Sequence, residues 1–173
     1  MTATFSRRPA IDVEIGRPVT AADWARAREL VGALLQWTVD MLGDVAVAAQ
    51  KGADVELDQL EAIYSAPQGS FLIARIDGEV VGTTAVRLLS PRTAELKRVY
   101  VKPARGLGLA SRMLEAAIDA ARRCGASRMV LESHCEVMRS AVEMYRRRGF
   151  HEIPDYTDLS THVPGAIAME MRL

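Results

Sequence analysis

Residues 95–114, ELKRVYVKPARGLGLASRML, read as a strand, a tight glycine-bearing loop and the start of a helix. Pro103 fixes φ and halts the strand. Gly106 and Gly108 remove two Cβ atoms where the loop becomes a helix. The N–H groups of the first helical turn then converge, and the helix dipole adds partial positive charge. A helix N-terminus stripped in this way suits an anion, best of all a phosphate, and Arg105 is placed to add a full charge. The plainer alternative is a strand-to-helix turn with no ligand. Other phosphate loops fit less well. There is no G-x-x-x-x-G-K-[ST], and a dinucleotide loop, G-x-G-x-x-G, would meet Ser111 at its third glycine.

The flanking sequence predicts what this segment is embedded in. IDVEIGRP alternates apolar and polar residues, predicting a strand near Ile11 to Ile15. Thr20 and Asp23 resemble a capping box, followed by Trp24, Ala27, Leu30, Val31, Leu34, Leu35, Thr38 and Met41 at helical steps. Gly43 and Gly52 loosen the next stretch, and VELDQLEAIY predicts a second, shorter helix closed by Ala66-Pro67. Residues 70–89 form a hairpin around Asp77-Gly78, a dipeptide suited to a type I′ turn. A third strand, TAELKRVYV, follows. The helix after the glycine loop buries Leu109, Met113, Leu114, Ala117, Ile118 and Ala121 and stops at Gly125. SRMVLESH, MRSAVEMYRRR, FHEI and GAIAMEMRL complete the chain as strand, helix, strand and strand. The expected class is α/β of the α+β type: a mixed, mostly antiparallel central sheet flanked by helices. Residues 1–10 read as a flexible tail and 11–173 as a single domain.

Composition narrows the function. Of 173 residues, 22 are Lys or Arg and 22 are Asp or Glu, a formal net charge of zero. That balance argues against general adhesion to nucleic acid or anionic membrane. Hydrophobic residues make up 49%, enough for a real core. Cys124 and Cys135 form no disulfide framework, and no Cys/His spacing suggests zinc, so no metal is expected. MTATFSRRPA lacks the apolar core of a signal peptide, and VAVAA is too short to cross a bilayer. The expectation is a cytoplasmic protein.

VYVKPARGLGLASRML resembles the acyl-CoA signature of the GNAT superfamily of N-acetyltransferases: a strand, Arg/Gln-x-x-Gly-x-Gly/Ala, then a helix. Arg105, Gly108 and Ala110 fill its marked positions. AVEMYRRRGF is similar to a second family stretch, A-x-x-x-Tyr-x-x-x-Gly-Phe, and the order of elements matches from about Ile11 to Leu173. The resemblance implies the GNAT fold and acetyl-CoA as cosubstrate. It implies that the backbone around Gly106, Leu107, Gly108, Leu109, Ala110 and Ser111 holds the CoA pyrophosphate beside Arg105. It further implies that the strand Val99, Tyr100, Val101 accompanies the pantetheine arm, with Val99 and Val101 pairing by backbone.

Acetyl transfer to an amine needs a neutral amine, a polarised thioester carbonyl and an acid for the leaving thiolate. Glu95 stands where several family members carry a glutamate base; otherwise it is a surface charge, or paired with Lys97 or Arg98. In a regular strand Glu95, Lys97, Val99 and Val101 would share a face, and a bulge, common in the family here, would shift that register. By resemblance Tyr145 is the acid near the CoA sulfur; its ring equally suits the core. The family frequently has an asparagine seven residues before this tyrosine, where this chain has Met138.

For the acceptor pocket the resemblance points to Trp37, Met41, Tyr64, Arg98, Tyr156 and His162. Arg98 suits a carboxylate, or else a salt bridge to Glu95 or another acid. His134 is either a base or structural, and Arg146, Arg147 and Arg148 are either a solvated helix end or a contact to the CoA 3′-phosphate. The expected activity is transfer of acetyl from acetyl-CoA to a primary amine of a small molecule or amino acid in a ternary complex, in an assembly that admits a homodimer. The alternatives are a peptide or protein N-acetyltransferase and an idle acyl-CoA-binding module.

Overall fold

The structure, a computed structural model, describes residues 12–102, 108–157 and 163–173. The expected tail, Ile11, Pro103, Arg105, Gly106, Leu107 and His162 lie outside the described residues. The chain runs β1 (Val13–Gly16), α1 (Ala21–Leu42), α2 (Asp44–Ala49), α3 (Ala53–Asp58), α4 (Leu60–Ile63), β2 (Gly69–Ile76) and β3 (Glu79–Ser90). It continues with β4 (Thr93–Val101), α5 (Leu109–Arg123), β5 (Arg128–His134), α6 (Arg139–Arg148), β6 (His151–Ile153) and β7 (Ala166–Arg172). The strands form a 7-stranded sheet in the order β1-β2-β3-β4-β5-β7-β6. The β4–β5 pair is parallel and the other neighbours are antiparallel, giving the mixed, mostly antiparallel sheet expected.

Alternation along the strands sends side chains to two layers. Phe71 and Ile73 of β2 and Ala85 of β3 meet Trp24, Leu30 and Val31 of α1, with Leu60 and Tyr64 closing that cluster. On the other face Val86, Ala94, Leu96, Met129 and Leu131 pack under Leu114 and Ile118 of α5 and Val142 of α6. Burying one such aliphatic side chain contributes about 1.5–3 kcal/mol.

Local chemistry fixes the ends of the elements. The Thr20 hydroxyl accepts from Asp23 N–H (3.1 Å) while the Asp23 carboxylate accepts from Thr20 N–H (3.0 Å), a reciprocal cap on α1. Asp77 and Gly78 take φ of +49° and +83°, as a type I′ turn requires.

Residues 43–64 depart from the expectation of a loose stretch and one helix. They form three short helices. Gly43 and Gly52 bracket α2 at positive φ, so they punctuate rather than loosen. The expected 55–64 helix breaks at Gln59 (φ −114°). This break gives α3 and α4 different tasks, because Leu60 and Tyr64 are fully buried while α3 buries no residue.

A second departure lies in β4. Ala85 pairs with Lys97 but Thr83 pairs with Tyr100, so β4 carries one extra residue, a bulge. Arg98 sits there at φ +57°, and its carbonyl accepts from the Thr83 hydroxyl (2.9 Å). The bulge reverses the alternation. Ala94 and Leu96 face the α5 side before it, and Val99 and Val101 face that same side after it. Tyr100 turns toward α1. The regular-strand alternative, with Glu95, Lys97, Val99 and Val101 on one face, is therefore corrected: the first two and the last two lie on opposite faces.

Candidate active site in the split between β4 and β5

β4 and β5 share three rungs, Thr93↔Arg128, Ala94↔Met129 and Glu95↔Val130. Beyond them β4 continues along β3 to Val101, and β5 continues along β7 to His134. The facing edges of the two strands are left without a ladder, and between them opens a cleft of about 820 Å³. α1, α2 and α3 wall it on one side and the start of α6 on the other. An open strand edge is a row of unspent backbone donors and acceptors, ready for an extended partner.

Charged groups line the acceptor side, and most are already matched. Arg98 Nε donates to Glu56 Oε1 (2.7 Å) and Arg98 Nη2 to Glu56 Oε2 (2.6 Å). The Tyr64 hydroxyl also donates to Glu56 Oε1 (2.6 Å). Burial alone would raise the Glu56 carboxyl, but Arg98 and Tyr64 bring it down to about 2. Glu95 is 2% exposed. Its Oε2 accepts from Arg87 Nε (2.6 Å), its Oε1 from the Tyr156 hydroxyl (3.1 Å), and Lys97 Nζ stands 3.9 Å away. Burial pushes Lys97 below the usual ammonium range. Glu132 accepts from the Thr157 hydroxyl, and burial, reinforced by the charge of Glu95, lifts its carboxyl above the usual range.

Tyr145 reaches the cleft from α6 with its ring packed on Phe150, centroids 5.8 Å apart. It is buried, which raises its pKa well above that of a free tyrosine, and its hydroxyl has no hydrogen-bond partner among the described residues. Met138 caps α6 and lines the cleft, where its sulfur lies 3.6 Å from the Ser133 hydroxyl. Thioether stands where an amide was the family pattern.

His134 has a structural assignment. Its Nε2 donates to the Pro164 carbonyl (2.8 Å), and its Nδ1 accepts from Glu136 N–H (3.3 Å) and Val137 N–H (3.2 Å). Both ring nitrogens are committed to the turn after β5. Gly165 lies against this ring at φ +85°, where a Cβ would stand 2.7 Å from His134 Cε1.

The split thus brings together Glu95, Arg98, Val99, Tyr100, Val101, Trp37 and Tyr145 from distant parts of the chain. Tyr156 meets Glu95 rather than the cleft itself. Gly108 (φ +58°) caps α5 with no side-chain bond, which leaves the first-turn amides of Leu109, Ala110 and Ser111 without helical acceptors. Arg98 takes the salt-bridge alternative. Tyr64 is a core residue and Met41 an exposed one. Arg146 pairs with Glu152, and Arg148 pairs with Glu115, so two of the three terminal arginines of α6 serve surface ion pairs. Sequence reasoning missed Glu56, Arg87 and Glu132. Isolated charges with no mutual spacing give no signal until the fold pairs them. No His, Cys, Asp and Glu cluster fit for a metal occurs among the described residues, and none of their helices is long and apolar enough to cross a membrane.

The Acetyltransferase (GNAT) family matches residues 44–150. The chain is 32% identical over 133 residues to the uncharacterized N-acetyltransferase YjgM of Escherichia coli strain K12, covering 73% of this chain and 79% of that protein. Its fold is similar to that of an acetyltransferase from Streptococcus agalactiae 2603, with TM-score 0.71, 24% identity, and 93% and 98% of the two chains covered. It is also similar to the PaiA N-acetyltransferase of Thermoplasma acidophilum, solved in complex with coenzyme A, with TM-score 0.68, 19% identity, and 94% and 99% covered.

Proposed function

The chain belongs to the GNAT acetyltransferase family, and from that premise we propose that it moves an acetyl group from acetyl-CoA to a primary amine of a small molecule in a ternary complex. The observation that carries this reading is the unpaired β4 edge beyond Glu95, bulged at Arg98 and facing a cleft that also contains Tyr145.

The residues fit the coenzyme. Val99, Tyr100 and Val101 offer backbone along the open edge, where a pantetheine arm can lie as an added strand. The uncapped amides of Leu109, Ala110 and Ser111, after Gly108, suit a diphosphate, and the sequence assigns Arg105, Gly106 and Leu107, outside the described residues, to the same duty. Bound acetyl-CoA supplies the thioester carbonyl that accepts the amine. Tyr145 keeps its proton at Oη at neutral pH, because burial disfavours the phenolate, so it serves as the acid for the departing sulfur. Glu95 is the base. Arg87 and Tyr156 occupy its oxygens, so the amine proton reaches it through a water in the cleft. A concave, partly apolar acceptor wall from α1 and α2 suits a metabolite better than an extended peptide.

Thermal shift and release of free thiol test the reading. Acetyl-CoA at about 100 times its Kd is expected to stabilise the protein by about 2.7 kcal/mol, and free CoA is expected to appear only with an amine present. Absence of both overturns it.

A further inference from the structure

Two residues past the last shared rung, Glu95↔Val130, come Lys97 on β4 and Glu132 on β5. Side chains two apart on a strand share a face, so Lys97 and Glu132 stand on opposite lips of the split and on the acceptor side of the sheet. Both line the cleft. Resting on the acetyltransferase reading above, we infer that these two residues receive an α-amino acid, Lys97 taking its carboxylate and Glu132 its amino group.

Charge pairing singles them out. Arg98 is matched at two points by Glu56, and Arg87 is matched by Glu95. Lys51 is exposed at the rim. Lys97 has its nearest described acid, Glu95, at 3.9 Å, beyond hydrogen-bond distance, and that carboxylate is already bound by Arg87 and Tyr156. Glu132 has no described cation within ion-pair reach, and Thr157 is its hydrogen-bond donor. Among the described residues, Lys97 and Glu132 are therefore the half-buried cation and anion of the cleft whose neutralisation is incomplete, across a gap from each other. A zwitterion with adjacent charges satisfies both, whereas a simple amine leaves Lys97 unmatched. Burial shifts Lys97 and Glu132 toward their neutral forms, so both gain from an incoming counter-charge. Arg98, the residue the sequence suggested for a carboxylate, is already held at two points by Glu56.

The test compares leucine and phenylalanine with 3-methylbutylamine and 2-phenylethylamine, the same molecules without the carboxylate, by thiol release from acetyl-CoA. The amino acids are expected to exceed the amines in kcat/KM by about 10–100-fold, the range of a charged hydrogen bond. Lys97→Met is expected to collapse that ratio at least tenfold, and Glu132→Gln to lower kcat/KM for both classes while leaving the ratio in place. Acetyl-CoA binding, measured by calorimetry, reports that each variant is folded. Amines turned over as well as amino acids, or a ratio unmoved by Lys97→Met in a protein that binds acetyl-CoA, overturns the inference. Turnover of neither class with acetyl-CoA bound also overturns it and leaves the coenzyme site standing. Failure to bind acetyl-CoA overturns the reading beneath.

Discussion

Arg98 and Glu56 meet across 42 residues of sequence in a two-point ion pair that ties α3 to the bulge of β4. The side chains are 15% and 16% exposed, so most of each charge's hydration is replaced by its partner. Glu56→Gln leaves the guanidinium without its counter-charge and is expected to destabilise the protein by about 3 kcal/mol, read from urea denaturation. The same pair sets an acid dependence. The Glu56 carboxyl is depressed from 4.5 to about 2 in the fold, so its contribution is complete above about 4.5 and declines as pH falls toward about 2. Glu56→Gln is expected to flatten that part of the stability profile.

Tyr145→Phe keeps the ring and its packing on Phe150 and removes a hydroxyl with no described protein partner. Stability is expected to change by less than about 1 kcal/mol. If Oη protonates the leaving sulfur, kcat falls about 100-fold with acetyl-CoA affinity retained. Steady-state kinetics beside calorimetry separates the two, and full turnover in the variant removes the acid role.

Gly165→Ala forces an L side chain into φ +85° and onto the His134 ring, 2.7 Å from Cε1. The expected cost is about 1–3 kcal/mol. Because His134 ties the end of β5 to the turn at Pro164, the variant is also expected to raise KM for the acceptor; denaturation and kinetics on one preparation check both.

Thr20→Ala removes half of a reciprocal cap far from the cleft. A loss of about 1 kcal/mol is expected, with kcat/KM unchanged, measured on the same two scales.

Much of the fold was legible because local rules suffice for it. The capping pair Thr20 and Asp23, the Asp77-Gly78 turn and the apolar stripe of α5 each lie within a few residues of sequence. The bulge was written in the sequence too. Apolar residues fall at 94 and 96, then at 99 and 101, a step of two interrupted by a step of three at the site of Arg98. The floor of the cleft was not legible. Glu56 lies on a helix whose break at Gln59 is decided by burial of Leu60 and Tyr64, and Glu132 gains meaning only from its place opposite Lys97. Such pairings depend on where strands diverge, which no local pattern states.

The extra residue at Arg98 also divides labour along one strand. On the proposed reading, β4 offers the acceptor its side chains at 95 and 97 upstream, and downstream it offers the donor mainly its peptide groups. On that reading, substitution of Lys97 redirects acceptor choice and loss of Glu95 removes the base, while the grip on coenzyme stays intact. Deleting Arg98 would instead restore a regular ladder with Val99 and Val101 still facing the core, and would lose the anchor that Arg98 makes to Glu56 of α3.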